Sequence, residues 1–377
     1  MTNNIPKIRF KGFSDSWKQD ELLNIADRYD NLRIPIAENK RISGNIPYYG
    51  ANGIVDYVKG YTHNGEFVLV AEDGANDIKC YPVQYVCGKF WANNHVHVLQ
   101  GKKNILNNKF FKYLISTTNI QPFLVGGSRA KLNAETMMSI ILLLAKDTKE
   151  QEKIGKFFKN IDKLITTNEQ KLEKLKNIKT ALLEKMFQQN NETTPKIRFK
   201  GFKDEWRKNK LSDIADRYDN LRIPIAANKR VSGNIPYYGA NGIVDYVSGY
   251  THDGEYVLVA EDGANDINCY PVQYVNGKIW ANNHVHVLQG KEKITDNKFL
   301  KYLISQTQIA PFLVGGSRAK LNAETMMAML ITIINDIKEQ EKIGNFFKNI
   351  DKLISLTEKK IEKLKNIKSG LLEKMFV

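Results

Sequence analysis

Little in this 377-residue chain suits a disulfide scaffold, a membrane span or an enzyme active site. There are only three cysteines, Cys80, Cys87 and Cys269. That is too few for a disulfide framework and matches proteins kept in a reducing compartment. The longest apolar run, Ile140–Ala145, has six residues, whereas a helix needs about 20 to cross a bilayer. The opening Met1–Pro6 is polar and does not read as a signal peptide. A cytoplasmic protein with no membrane partner is expected. Acidic residues are outnumbered, 41 against 56 basic ones, for a net charge of +15. A basic balance of this size suits a polyanion, nucleic acid first among them.

Motifs for chemistry are missing as well. Val125–Lys131 has glycines but lacks the Gly-Lys-[Ser/Thr] ending of a phosphate-binding loop. Ile46 spoils the likeness of Asn45-Ile46-Pro47-Tyr48 to the Asn-Pro-Pro-Tyr loop of amino-methyltransferases. Asp77-Ile78-Lys79 faintly matches part of a nuclease site, but its counterpart is Asp266-Ile267-Asn268, without the lysine. His95 and His97 lack the partners of a metal nuclease. No catalytic residue, no metal site and no cofactor of the chain's own are expected.

What is present is a duplication. Pro6–Phe187 recurs as Pro195–Phe376 at a constant offset of 189 positions, with about three quarters of positions identical. Repetition on this scale outranks other signals and points to two similar units facing similar partners. Within each copy the first part is rich in Tyr, Gly, Asn and Val. Short apolar runs (Ile54–Val58, Phe67–Ala71, Tyr81–Val86, Val96–Leu99) alternate with the turn dipeptides Asn52-Gly53, Asn64-Gly65 and Asp73-Gly74. This predicts a mostly β domain, with helices near Asn108–Ser116 and Ala134–Ile141.

The second part, Asp147–Phe187, has no proline and one glycine. Two series at seven-residue spacing run through it: Ile154, Ile161, Asn168, Leu175, Leu182 and Phe158, Ile165, Leu172, Lys179, Met186. They alternate by four and three, the spacing of a heptad seam. The second copy repeats it from Ile343, Phe347, Ile350 and Ile354. A helix of this length extends about 60 Å and must bury its stripe. Either each helix packs on its own β domain, or the two pair antiparallel, with the polar linker 188–194 letting the chain turn back. Ile154, Phe158, Ile161 and Ile165 with Ile343, Phe347, Ile350 and Ile354 are the expected pairing residues, and Asn168 and Thr357 are candidates for setting register. The expected division is 1–146 for the first β domain, 147–187 for the first helical region, 188–194 for the linker, 195–335 for the second β domain and 336–377 for the second helical region. The expected fold class is α+β, two mostly-β domains alternating with two long helices that form an antiparallel coiled coil, with pseudo-two-fold symmetry.

Reading DNA requires side chains that reach base edges, Arg or Lys for guanine and Asn or Gln for adenine, besides donors to phosphate. The strongest candidates are Ser128, Arg129, Lys131 and Asn133, after the Gly126-Gly127 pair that lets a backbone approach a strand, with their twins Ser317, Arg318, Lys320 and Asn322. Next are Tyr48, Tyr49 and Asn52 (Tyr237, Tyr238 and Asn241), which stack, line a groove or belong to the core. Asn94 and Asn283 are candidate adenine readers. Arg33 and Arg41, with Arg222 and Arg230, are candidate phosphate contacts. Glu72–Asp77 reads as a tight structural turn.

The ordered motifs resemble the specificity subunit of type I restriction–modification systems. They are Phe13…Trp17 with Leu22…Ile25-Ala26, then Asn45–Gly53 followed by Val-Leu-Val-Ala-Glu-Asp-Gly, then Gly127–Asn133, then Glu150–Ile154 opening the helix, all recurring in the second copy. The resemblance covers nearly the whole chain. It implies two target recognition domains alternating with two long conserved helices, each domain gripping half of a bipartite double-stranded DNA target. It implies two methyltransferase subunits that use S-adenosylmethionine to methylate adenine N6, and restriction subunits that use ATP and Mg. The chain itself would be non-catalytic, its helices setting the spacing. The near identity of the two domains departs from the usual family pattern and predicts a palindromic target. The alternative is a coiled-coil adaptor whose β domains bind protein or membrane surfaces without reading DNA sequence.

Overall fold

The computed structural model describes residues 4–127, 130–187, 194–316 and 319–377. The chain forms two compact units, Met1–Glu169 with Lys359–Val377, and Gln170–Glu358. The first unit is built from two separate segments and the second from one, because each long helix, Thr148–Met186 or Ile337–Met375, gives its first part to one unit and its last part to the other.

In the first unit, β1 (Lys18–Glu21) leads to β2 (Ala26–Arg28), β3 (Ser43–Gly50), β4 (Gly53–Val58), β5 (His63–Ala71), β6 (Val83–Ala92) and β7 (Val96–Gly101). Six of these make one sheet in the order β2-β7-β5-β6-β3-β4. It is antiparallel except where β3 meets β6, with Tyr48 opposite Trp91. Central β5 is buried on both faces, which is why Phe67–Ala71 reads as an unbroken apolar run instead of an alternation. Phe67 and Leu69 face a cluster with Val86, Phe90 and Val98; Val68 and Val70 face the helices. Two further strands, β8 (Leu124–Val125) and β9 (Lys131–Leu132), form a small hairpin. β10 (Ile141–Leu144) pairs with β1. The helix expected to run to Ile141 stops at Met138, and the apolar run after it becomes β10. The second unit repeats the same six-stranded order between Ala215 and Gly290.

The helix Asn108–Thr117 lies between sheet and long helix. Its Asn107 cap side chain accepts from the N–H groups of Lys109 and Phe110. Gly155, the one glycine of the first long helix, lies against this cap: a Cβ there would sit 2.5 Å from the Phe110 nitrogen. Two residues beside it fasten the helix start. Glu150, fully buried, takes a bidentate pair from Arg9 at 2.6 and 2.8 Å. Gln151 accepts from Asn107 N–H and donates to the carbonyls of Ile105 and Ala145.

The heptad stripe serves both expected packings at once. In the first unit Ile154, Phe158, Ile161 and Ile165 are buried with Phe110 and Tyr113 of their own domain and with Leu364, Leu371, Met375 and Phe376 of the other helix. Phe376 stacks on Phe110 at 5.4 Å and meets Trp17 edge-on. The second unit packs Ile343, Phe347, Ile350 and Ile354 with Leu182, Met186 and Phe187 in the same way. The helix segments run antiparallel in both: Lys368 bonds Asp162 and Lys365 bonds Glu169 in the first, Lys179 bonds Asp351 and Lys176 bonds Glu358 in the second. Lys179 and Lys368, polar interruptions of the stripe, are thus accommodated by carboxylates from the facing helix. Asn168 and Thr357 donate to Leu164 and Leu353 carbonyls of their own helices.

Candidate nucleic-acid interface

Four segments distant in sequence meet at one corner of each β domain. The Asn52 amide donates to Gly74 O and accepts from Asn76 N–H, both at 2.9 Å, so it ties the β3–β4 turn to the loop after β5. Glu72 N–H donates to His95 O, and Leu132 N–H donates to Glu72 O at 2.7 Å, which brings in the β6–β7 turn and the β8–β9 hairpin. His95 Nδ1 bonds Asp73. Every one of these contacts recurs in the second unit, as Asn241 with Gly263 and Asn265, Glu261 with His284 and Leu321, and His284 with Asp262.

Beneath the corner lies a buried ionic network. The Arg33 guanidinium donates to Glu72 at 2.6 Å and to Val96 O at 2.7 Å. His97, fully buried, bonds Asp30 at 2.7 Å and Leu132 O at 2.8 Å. Lys131 reaches the other Glu72 oxygen at 2.9 Å. Burial alone would raise the Glu72 carboxyl, but the bonds from Arg33 and Lys131 and the neighbouring His97 outweigh it and hold its pKa below the ordinary value. Glu261 is lowered by the same balance, burial opposed by Lys320 and Arg222. Asp30, Glu72 and His97 place ligand atoms within 4.8 Å of one another, as a metal site would. Arg33 and Lys131 already supply positive charge to this cluster, and a divalent cation would have to displace them.

The expected site residues divide into three groups. Tyr48 and Tyr237 are core residues, 1% exposed, with hydroxyls on the Ile36 and Ile225 backbones; strand β3 and its counterpart Ser232–Gly239 turn them inward, away from any groove. Arg33 and Arg222, expected at phosphates, are spent on the internal network. Arg41 and Arg230 lie over those tyrosine rings at 4.7 and 4.4 Å and pair with Asp56 and Asp245. Tyr49 and Tyr238 are half-buried. Asn52 and Asn241 hold the loops together. Facing outward at the corner are Asn94, Asn133 and the half-exposed Lys131, with Asn283, Asn322 and Lys320 in the second unit. Ser128, Arg129, Ser317 and Arg318 lie outside the described residues. In the second unit the corner opens into a cleft of about 550 Å³ whose lining includes Arg230, Asn241, Asp262, Asn283 and His284. Glu72 could be read as a turn residue, but its role as keystone could not, since Arg33, His97 and Lys131 reach it only in the fold. The identity of Asp30, Arg33, Glu72, His97 and Lys131 with their counterparts was the available signal.

Residues 14–177 and 203–366 each match the family model described as the type I restriction modification DNA specificity domain. A Haemophilus influenzae protein described as a type I restriction enzyme specificity subunit is 51% identical over 131 residues, 34% of this chain and 33% of that protein. A Mycoplasma pneumoniae protein described as a type I specificity subunit is 31% identical over 151 residues, 39% of this chain and 40% of the relative. The matched segments therefore span less than half of either relative. The crystal structure of the S subunit of a type I restriction–modification system from M. genitalium superposes with a TM-score of 0.80 over 99% of both chains at 14% identity, a likeness of fold. Among the described residues no helix is long and apolar enough to cross a membrane.

Proposed function

The chain belongs to the type I restriction modification DNA specificity family, and from that premise we propose that it reads a gapped, palindromic DNA target, one half-site per β domain. One observation carries the symmetric target: the outward side chains of the corner, and the buried network that positions them, are the same in both units. Asn94, Lys131 and Asn133 match Asn283, Lys320 and Asn322, while the differences between the copies lie elsewhere. Identical readers give identical half-sites when the symmetry of the protein matches that of the duplex. Asn94 and Asn133 suit adenine edges, and Lys131 suits phosphate or guanine.

The chain supplies no chemistry in this reading. Two methyltransferase subunits dock on it and methylate an adenine N6 in each half-site from S-adenosylmethionine, flipping the base out of the duplex. Restriction subunits consuming ATP with Mg complete the complex, and the long helices set the distance between half-sites. Long-read methylome sequencing of a host expressing this chain with its methyltransferase tests the proposal. A single motif whose halves are inverted copies is expected. Two unrelated halves would overturn the symmetry, and binding without preference among duplexes would make the chain an adaptor instead of a reader.

A further inference from the structure

A second basic feature lies beside the corner, between the helix Asn108–Thr117 and the first long helix. It is a cleft of about 300 Å³ lined by Lys109, Lys112, Lys159 and Lys163, with Tyr85 and Tyr113. The lining holds one carboxylate, Asp162, already taken by Lys112 at 2.9 Å and the Tyr113 hydroxyl at 2.7 Å. The second unit repeats it as a cleft of about 470 Å³, with Lys298, Lys301, Lys348 and Lys352 around Tyr274 and with Asp351 paired to Lys301 and Tyr302. Lys109 also pairs with Glu66 at 3.7 Å and Lys298 with Asp296 at 3.8 Å, so the charge the cleft does not neutralise is that of Lys159 and Lys163, or Lys348 and Lys352, and both copies keep all four lysines.

The Tyr85 and Tyr274 hydroxyls are buried and make no hydrogen bond of good geometry, although the Glu66 and Glu255 carboxylates lie close enough to act on them; a polar group left so out of water costs roughly 1–3 kcal/mol. Lys159 and Lys348 sit over these rings at 4.9 Å. Burial, aided by the charge of Glu66 or Glu255, pushes both phenols far above their ordinary pKa, so each remains a donor. Ammonium groups that outnumber the neighbouring carboxylates, set around a buried hydroxyl donor, suit a phosphate.

In the second unit the cleft reaches the DNA-reading corner through one side chain. Gln273 lines it in the second unit, and its amide lies 3.4 Å from where a Cβ of Gly242 would stand, in the Asn241-Gly242 turn. Gln84 approaches Gly53 in the same way at 3.3 Å. A strand lying on the corner therefore has a basic cleft beside it, toward the long helix.

We propose that each cleft seats one backbone phosphate of the bound duplex beside the half-site, with Lys159 and Lys163, or Lys348 and Lys352, as counter-charges and the tyrosine hydroxyl as donor. This rests on the DNA-reading function proposed above and adds to it a sequence-independent anchor on the helical side of each recognition domain.

The test uses the full chain assembled with its methyltransferase and measures binding to target and scrambled duplexes from 50 to 200 mM salt. The variant is K159Q/K163Q/K348Q/K352Q, whose four positions are all exposed. Each phosphate contact contributes about 0.9 to the slope of log affinity against log salt. Losing two contacts flattens the slope by about 1.8, so that wild type loses roughly 12-fold more affinity than the variant across that range. The loss should be equal on both duplexes, because phosphate carries no sequence information. Y85F/Y274F should weaken binding with the slope nearly unchanged. An unchanged slope in the quadruple variant, with wild type still selective, overturns the cleft and leaves the reading of DNA intact. Inorganic phosphate perturbing the Tyr85 and Tyr274 ring resonances while the DNA slope stays at its wild-type value would overturn the DNA assignment in favour of a free anion. Wild type that binds duplexes without salt dependence or preference removes both proposals.

Discussion

Replacing Glu72 by Gln removes one negative charge from the centre of the corner while leaving its shape. The carboxylate is 13% exposed and faces Arg33 at 2.6 Å, Lys131 at 2.9 Å and His97 at 3.7 Å. Breaking a buried ion pair by removing one member costs about 3–5 kcal/mol. Two features reduce that here. Arg33 keeps the Val96 and Asp30 carbonyls and an Asp30 carboxylate at 3.6 Å, and the amide oxygen of Gln still accepts one bond. The Lys131 bridge, with the ammonium half exposed, adds under about 1 kcal/mol. A net loss of about 2–3 kcal/mol follows, which at about 2–4 °C per kcal/mol for a unit of this size lowers its melting temperature by roughly 4–12 °C. Calorimetry of the full chain reads it: E72Q should lower one component of the transition, and E72Q/E261Q both.

The pH dependence has a defined sign. The Glu72 carboxyl is lowered from 4.5, so its contribution is complete above that value and is lost as pH falls through the lower folded-state pKa. The gap between wild type and E72Q should be constant from about pH 5 to 8 and close below about 4.5. A loss below about 0.5 kcal/mol at pH 7, within the scatter of ordinary surface changes, would refute the keystone role. So would a gap that widens in acid.

Four further tests check the fold and the reading of DNA. Gly155→Ala should destabilise by about 1–3 kcal/mol in urea unfolding, since the new methyl meets the Phe110 backbone; Gly370→Ala, in open space and matching Ala181 of the other copy, should stabilise by about 0.5–1 kcal/mol. Phe376→Ala should cost about 3–5 kcal/mol, and hydrogen exchange should place the loss in Met1–Glu169 rather than in Gln170–Glu358. Asn94→Ala with Asn283→Ala should relax base preference at one position in each half-site by about 1–3 kcal/mol in competition binding; a uniform loss over all sequences would make these residues phosphate contacts.

Much of this architecture could be read directly. Heptad spacing located both long helices to within a residue or two, because an amphipathic period is a local property of the chain. Asn52-Gly53 and Asp73-Gly74 marked the start of β4 and the end of β5 for the same reason, whereas Asn64-Gly65, read as a turn, lies inside β5 opposite Lys89 and Gly88, because the pairing with β6 carries the strand through it. Strand β3 was harder to see: Ser43–Gly50 reads as a Tyr- and Gly-rich motif, and its pairing with β4 on one side and parallel β6 on the other depends on the sheet. Tyr48 shows the limit most clearly. An aromatic beside a glycine turn is equally consistent with a groove and a core, and only the direction of β3 turned it inward. Arg33 shows it for charge, since a basic residue in a basic protein reads as a surface cation until Glu72 and Val96 are found around it.

The amino-acid sequence by itself determined that there are two like units, that each joins a β domain to a long helix, that no membrane-length apolar run is present, and which family the motifs match. These follow from repetition, periodicity and composition, none of which needs a distance. The tertiary structure decided which candidates face outward, how the interrupting Lys179 and Lys368 are accommodated, and that the chain's final helical turns belong to the first unit's core. Those depend on partners more than a hundred residues away, such as Asp351 for Lys179 and Phe110 for Phe376, and on packing that buries one side of a residue while freeing another. Local sequence carries no record of either.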